Sequence, residues 1–103
     1  MSYLILEGGV HVDGSGAPPV RDSMVVIDGN RIVHAGSRSA RFDDVPARRW
    51  NLAGKTIVPG LIEAHTHASF DADMLAYVRN GITSLRFAGL DQATAGQARP
   101  LHG

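Results

Sequence analysis

The second half of the chain carries a strand pattern, then a helix pattern, then a second strand pattern, and this order constrains the fold more than any other feature. The two predicted strands and the helix between them cover Leu61–His67, Asp71–Asn80 and Ile82–Phe87. Met74, Leu75 and Val78 fall on one side of the helix, and Gly81 suits the left-handed position that follows a helix end. A helix that joins two strands over so short a distance predicts a compact βαβ unit, the building block of parallel α/β folds.

Short β-rich runs separated by glycine turns dominate the first half of the chain. The predicted strands there are Tyr3–Leu6, Val10–Asp13, Met24–Ile27, Arg31–Ala35, Trp50–Leu52 and Lys55–Val58. The turn Asp28-Gly29-Asn30 lies between two of them and predicts a β-hairpin, because Asp-Gly pairs favour tight hairpin turns. Ser37–Arg49 carries charges of both signs and a proline, which predicts a solvated loop.

Composition and charge exclude several classes of partner. The 103 residues are 44% apolar, which is ordinary for a globular domain, and ten Lys plus Arg balance ten Asp plus Glu. This balance predicts no nucleic-acid partner and no anionic membrane surface. The apolar run Tyr3–Leu6 is too short for a membrane span or a secretory signal, so we expect a cytoplasmic protein. Because the chain has no cysteine, a metal would need His, carboxylate or carbonyl ligands.

Two histidines lie one residue apart at the end of the first predicted strand of the βαβ unit. On a strand, residues i and i+2 point to the same face, so Glu63, His65 and His67 are expected to project together. Two neutral imidazoles in adjacent same-face positions form half of a normal Zn²⁺ site, whose other ligands come from other strands. The alternative is that they are polar residues at a strand end, hydrogen-bonded to water or to backbone carbonyls.

The segment around these histidines is similar to the signature of a known enzyme family. Residues 56–67 read Thr-Ile-Val-Pro-Gly-Leu-Ile-Glu-Ala-His-Thr-His, which resembles the Pro-Gly-Leu-Ile-acid and His-x-His pattern of the amidohydrolase superfamily. Gly81–Arg86 resembles the second barrel strand of its imidazolonepropionase-like and dipeptidase-like branches, and the hairpin around Asp28-Gly29-Asn30 resembles their N-terminal β-sandwich strands. The resemblance covers residues 3–89. It departs from the family at Glu63, where Asp is usual, and at Phe87, where Asp is frequent.

The resemblance implies a fold class and a division of the chain. The fold class is α/β, with N-terminal β-sandwich strands in residues 1–58 and the first strand–helix–strand (βαβ) unit of a (β/α)8 TIM barrel in residues 59–89. Residues 90–103 are expected to form an irregular tail. Because a complete barrel takes about 250 residues, the barrel is expected to be incomplete in a chain of 103 residues.

The resemblance also implies a chemistry. Both histidines of the family motif bind the catalytic metal, so His65 and His67 are the expected ligands of Zn²⁺ or another divalent metal, with one or two ions in the complete site. Glu63 is expected to orient the strand or a neighbouring ligand. The implied activity is metal-dependent hydrolysis of C–N bonds, amide or cyclic amide, in a small-molecule substrate.

The same comparison leaves three interpretations of the chain open. The family's remaining ligands are a lysine, two histidines and an aspartate on later strands, and no segment of this sequence matches those strands. We therefore expect the chain alone to be inactive as a hydrolase. It is either an inactive truncated piece, or part of a split enzyme that needs a complementing chain or a homo-oligomer, or a non-catalytic β-rich interaction module.

Overall fold

The structure is a computed structural model that describes residues 2–67 and 71–87. The strands in these ranges are β1 (Tyr3–Glu7), β2 (Val10–His11), β3 (Ser23–Asp28), β4 (Arg31–Ser37), β5 (Ala47–Asn51), β6 (Thr56–Ile57), β7 (Leu61–Thr66) and β8 (Ile82–Phe87), and the helix is α1 (Asp71–Arg79). The chain divides into two compact units, the first ending at Pro59 and the second beginning at Gly60. The tail expected over residues 90–103 lies outside the described residues.

The first unit is built on a four-stranded sheet with the strand order β4-β3-β1-β5. β1 pairs with β3 in antiparallel orientation and with β5 in parallel orientation. β3 and β4 form the predicted hairpin, and the turn between them contains Gly29 with a φ of 61°. Glycine adopts this left-handed conformation without steric cost, which is why the chain reverses here. β2 and β6 form a separate pair of short parallel strands.

The core of the first unit lies on one face of this sheet. Ile5 is opposite Val26 in the β1–β3 pairing, and Met24 lies two residues before Val26, so the three apolar side chains share a face. Phe42 packs against them, and all four side chains are buried. Burial of these side chains away from water is the main favourable contribution to the stability of the unit.

The expectation of a solvated loop over Ser37–Arg49 is wrong in two places. A short 3-10 helix, Ala40–Phe42, buries the Phe42 side chain to 4% exposure. The strand that was expected to begin at Trp50 begins at Ala47. Both differences have a tertiary cause. One large apolar ring in a run of charges finds a place in the core, and β5 is ordered by its pairing with β1, a strand far away in the sequence.

Arg49 connects this segment to the sheet. Its guanidinium donates hydrogen bonds to the carbonyl oxygens of Phe42 and Asp43, and it forms an ion pair with Glu7 Oε2 at 3.2 Å. Because Glu7 ends β1 and the two carbonyls belong to the 3-10 segment and its end, one side chain holds three parts of the first unit together.

The second unit contains β7, α1 and β8, and its two strands are parallel, as the sequence predicts. α1 ends at Arg79, and Gly81 has the positive φ, 85°, that the position after a helix end requires. Met74 is buried, whereas Leu75 and Val78 of the predicted apolar stripe are about half exposed. Residues 2–67 and 71–87 contain no helix of the length and hydropathy needed to cross a bilayer.

Candidate metal half-site at the end of strand β7

His65 and His67 lie side by side at the carboxyl end of β7. Their ring centroids are 5.2 Å apart, with an angle of 73° between the ring planes, and both side chains are exposed. Since Zn²⁺ binds imidazole nitrogen at about 2.0–2.1 Å, two rings at this separation are close enough to bind one ion between them. The two imidazoles therefore fit half of a tetrahedral site, with an open side toward solvent.

The pairing register between β7 and β8 is irregular next to these histidines. Glu63 is opposite Leu85 and Thr66 is opposite Phe87, so β7 advances three residues where β8 advances two. An extra residue on one strand is a β-bulge, which interrupts the ladder locally and changes the direction of the neighbouring side chains. The backbone around His65 is therefore only partly held by the ladder, and other contacts must position it.

The Glu63 carboxylate provides one of these contacts. Its Oε1 accepts a hydrogen bond of 3.1 Å from the backbone N–H of His65. A backbone N–H that loses its ladder partner needs another acceptor, and a carboxylate two residues earlier supplies one locally. The acid of the family signature thus acts on the main chain of the first histidine.

A pair of hydroxyl groups provides the second contact. Thr66 lies between the two histidines in sequence and has the opposite orientation on the strand, with only 5% of its surface exposed. Its Oγ1 is 2.7 Å from the Tyr77 hydroxyl on α1. Sequence reasoning did not single out either residue, because the bond joins positions eleven apart that meet only when α1 packs on the strand. An isolated threonine or tyrosine gives no signal of such a bond.

An open cavity of about 590 Å³ borders the second histidine. Thr66, His67, Asp73, Tyr77 and Asn80 are among the residues that line it. It therefore places an imidazole, a carboxylate and a phenol around one solvent-accessible space next to the half-site. Across residues 2–67 and 71–87 no group of three or more His, Cys, Asp or Glu is arranged to hold a metal ion, so this part of the chain presents no complete set of metal ligands.

The other polar groups of interest serve the first unit. His34 Nε2 donates a hydrogen bond of 2.8 Å to the carbonyl oxygen of Ser37, which links the side chain to the last residue of β4. The main chain of His11 forms an antiparallel bridge with Val20. A hydrogen bond from the Ser15 hydroxyl lowers the pKa of Asp13, which stabilises the charged carboxylate in an exposed turn. These contacts give the His34 side chain and the His11 main chain structural roles in the first unit.

Comparison with known proteins places these features in a family. No family model matches the chain. A 5-methylthioadenosine/S-adenosylhomocysteine deaminase of Symbiobacterium thermophilum is 33% identical over 70 residues, which are 67% of this chain and 16% of that protein. An imidazolonepropionase of Streptomyces griseus is 39% identical over 64 residues, covering 58% of this chain and 15% of that protein.

A solved structure is also similar to this chain, in sequence and in fold. The N-acyl-D-glutamate deacylase of Bordetella bronchiseptica, in complex with zinc and a phosphonate inhibitor, superposes with a TM-score of 0.64 at 30% identity. The match covers 80% of this chain and 17% of the deacylase. The chain thus spans about a sixth of the length of the relatives that it matches. The similarity in sequence and in fold to these enzymes shows that this chain belongs to the amidohydrolase superfamily.

Proposed function

We propose that this chain supplies the first metal ligands of a hydrolase that cleaves C–N bonds, in an amide or a cyclic amide. The observation that carries the proposal is the pair of exposed imidazoles of His65 and His67, whose ring centroids are 5.2 Å apart at the carboxyl end of a parallel strand followed by a helix. In α/β barrels this end of the strands opens into the active site. The names of the relatives, a deaminase, an imidazolonepropionase and a deacylase, favour the same chemistry.

The proposed metal is Zn²⁺ or another divalent ion, one or two in a complete site. The donor set fits, because neutral imidazole is a normal ligand for zinc, and the deacylase was solved with zinc. When bound, the ion supplies Lewis acidity, which activates water and polarises the carbonyl group of a small-molecule substrate. His65 and His67 hold the ion in this proposal, and Glu63 holds the backbone of His65 through the 3.1 Å hydrogen bond.

We also propose where the two units belong in a complete enzyme. β7, α1 and β8 are taken as the first βαβ unit of a (β/α)8 barrel, within residues 59–89, and the strands of residues 1–58 as part of a β-sandwich. The remaining ligands and the substrate-binding loops then come from further strands, in a longer form of the protein or in a complementing chain. This follows from the donor set, since a catalytic zinc site needs three protein ligands and the half-site offers two.

Nuclear magnetic resonance of the histidine rings tests the metal half-site directly. Zn²⁺ is titrated into the 103-residue chain, with the ring nitrogens of all five histidines observed. We expect Zn²⁺ to shift the ring-nitrogen resonances of His65 and His67. In His65→Ala, the zinc-induced shift at His67 should disappear as well. The matched control is His11→Gln, which should leave the zinc response unchanged. Equal shifts at all histidines, or none at the pair, would exclude the half-site.

A chimera tests the reaction class. Residues 61–87 of this chain replace the corresponding segment of the Bordetella deacylase, which supplies the rest of a barrel. We expect the chimera to hydrolyse N-acyl-D-glutamate, and we expect His67→Ala to reduce this activity by at least about 100-fold. The control is Ser84→Ala, at an exposed position on β8, which should leave the activity unchanged. A chimera equally active with and without His67 would contradict the proposal.

A further inference from the structure

The hydroxyl groups of Thr66 and Tyr77 form a hydrogen bond at the residue that separates the two histidines in sequence. Thr66 lies between His65 and His67 in sequence, and its side chain is buried whereas both histidines are exposed. Its Oγ1 lies 2.7 Å from the Tyr77 hydroxyl. The peptide units on either side of Thr66 carry the two imidazoles. Any rotation or shift of Thr66 therefore changes the separation of the rings.

The strand ladder constrains the end of β7 only in part. Between Glu63 and Thr66 the β7–β8 register is irregular, with one more residue on β7 than on β8. Regular pairing would fix every residue through the neighbouring strand, but a bulge removes that constraint for the residues within it. Thr66 is the first residue after the bulge with a ladder partner, Phe87, and its hydroxyl contact with Tyr77 also joins this point of the strand to α1.

We propose that Tyr77 is a positioning residue of the metal half-site. Its hydroxyl holds Thr66 against α1, and thereby keeps the His65 and His67 rings at a separation that binds one divalent ion. The inference rests on the proposed function, because it assigns to Tyr77 a role in the site formed by these histidines. Tyr77 itself binds no metal ion in this arrangement, and it changes the affinity for the ion through Thr66.

The probe for this role is Cu²⁺–iminodiacetate, whose remaining coordination positions accept imidazole nitrogen, a good ligand for Cu²⁺. It is titrated into the whole 103-residue chain, and electron paramagnetic resonance reports whether one or two imidazoles are bound. The wild-type chain should bind through two imidazoles, and His65→Ala through one. The variant Tyr77→Phe removes only the hydroxyl, and we expect affinity about five-fold weaker, as for loss of one neutral hydrogen bond, with a larger one-imidazole fraction.

Matched controls separate positioning from general loosening of the fold. Tyr3→Phe removes a phenolic hydroxyl from the first unit and should leave the copper signature unchanged. Thr66→Ser keeps the hydroxyl and should resemble the wild-type chain, whereas Thr66→Val should resemble Tyr77→Phe. The Thr66 variants keep Tyr77, so they test the bond even if Tyr77→Phe does not fold.

The outcomes distinguish the positioning role of Tyr77 from the metal half-site itself. Unchanged copper affinity and signature in Tyr77→Phe, or equal losses in Thr66→Ser and Thr66→Val, would overturn the positioning role while leaving the half-site intact. Equal copper binding in the wild-type chain and in His65→Ala would overturn the half-site itself, and the positioning role with it.

Discussion

Gly60 lies so close to Thr83 that a Cβ atom on Gly60 would be 2.0 Å from Thr83 Oγ1 and 2.8 Å from Thr83 Cβ. These distances are far below van der Waals contact, and Thr83 Cβ cannot rotate away because it is bonded to the backbone. The glycine that starts the second unit is therefore required by the approach of β8 to β7 at the base of the strand that carries the histidines.

Gly60→Ala should destabilise the second unit by about 1–3 kcal/mol, because the added methyl group forces β7 and β8 apart. The measurement is urea unfolding followed by the helical circular dichroism signal. Thr83→Ala removes the two nearest atoms, so the double variant should recover part of the loss, and Thr83→Ala alone should change stability little. A Gly60→Ala variant as stable as the wild-type chain would show that the strands separate without cost.

Glu63→Ala should expose the backbone N–H of His65, which donates to Glu63 Oε1 at 3.1 Å. We expect the hydrogen exchange rate of that amide to rise about five-fold, since one local hydrogen bond of about 1 kcal/mol is lost. Glu63→Gln retains an acceptor oxygen and serves as the control, with an exchange rate near that of the wild-type chain. Equal exchange rates in the wild-type chain and in Glu63→Ala would remove the carboxylate from this role.

Phe42→Ala should cost the first unit about 3–5 kcal/mol, because the ring is 4% exposed and packs on Ile5, Met24 and Val26. Trp50, the single tryptophan, lies in the same unit and reports unfolding by its fluorescence. Ile32→Ala is the control, since this exposed side chain on β4 should contribute no more than about 0.5 kcal/mol. Similar losses in both variants would contradict the assignment of Phe42 to the core.

The 103-residue chain should show no hydrolase activity with added Zn²⁺, Mn²⁺ or Co²⁺. Two imidazoles lack the further ligands and the base that turnover needs. The assay is hydrolysis of dipeptides, cyclic amides and N-acyl amino acids, with His65→Ala as the reference for contaminating enzymes. Metal-dependent turnover in the wild-type chain that His65→Ala abolishes would contradict this expectation.

The isolated chain should self-associate through the second unit. Leu61 and Ile62 on β7 are 56% and 73% exposed, and Leu75 and Val78 on α1 are about half exposed. At roughly 25 cal/mol per Å² of apolar surface, covering a few hundred Å² stabilises an associated state by several kcal/mol. Analytical ultracentrifugation should show oligomers whose population falls in Ile62→Thr. A monodisperse wild-type monomer with a sharp thermal transition would indicate a self-sufficient domain.

The sequence by itself determined the features that depend on near neighbours along the chain. Strand periodicity was enough to place His65 and His67 on one face, and their ring separation of 5.2 Å agrees with it. The hairpin turn at Gly29 and the end of α1 before Gly81 follow from the left-handed conformations that glycine adopts, 61° and 85° in φ.

Only the tertiary structure decided the features that join distant residues. The charges around Phe42 concealed its place in the core, and the parallel pairing of β5 with β1 moved the start of that strand to Ala47. The bulge after Glu63 and the bond between Thr66 and Tyr77 arise when β7 meets β8 and α1. Register and side-chain pairing across elements depend on the free energy of contacts that no local pattern encodes, because the partners are brought together only by the fold.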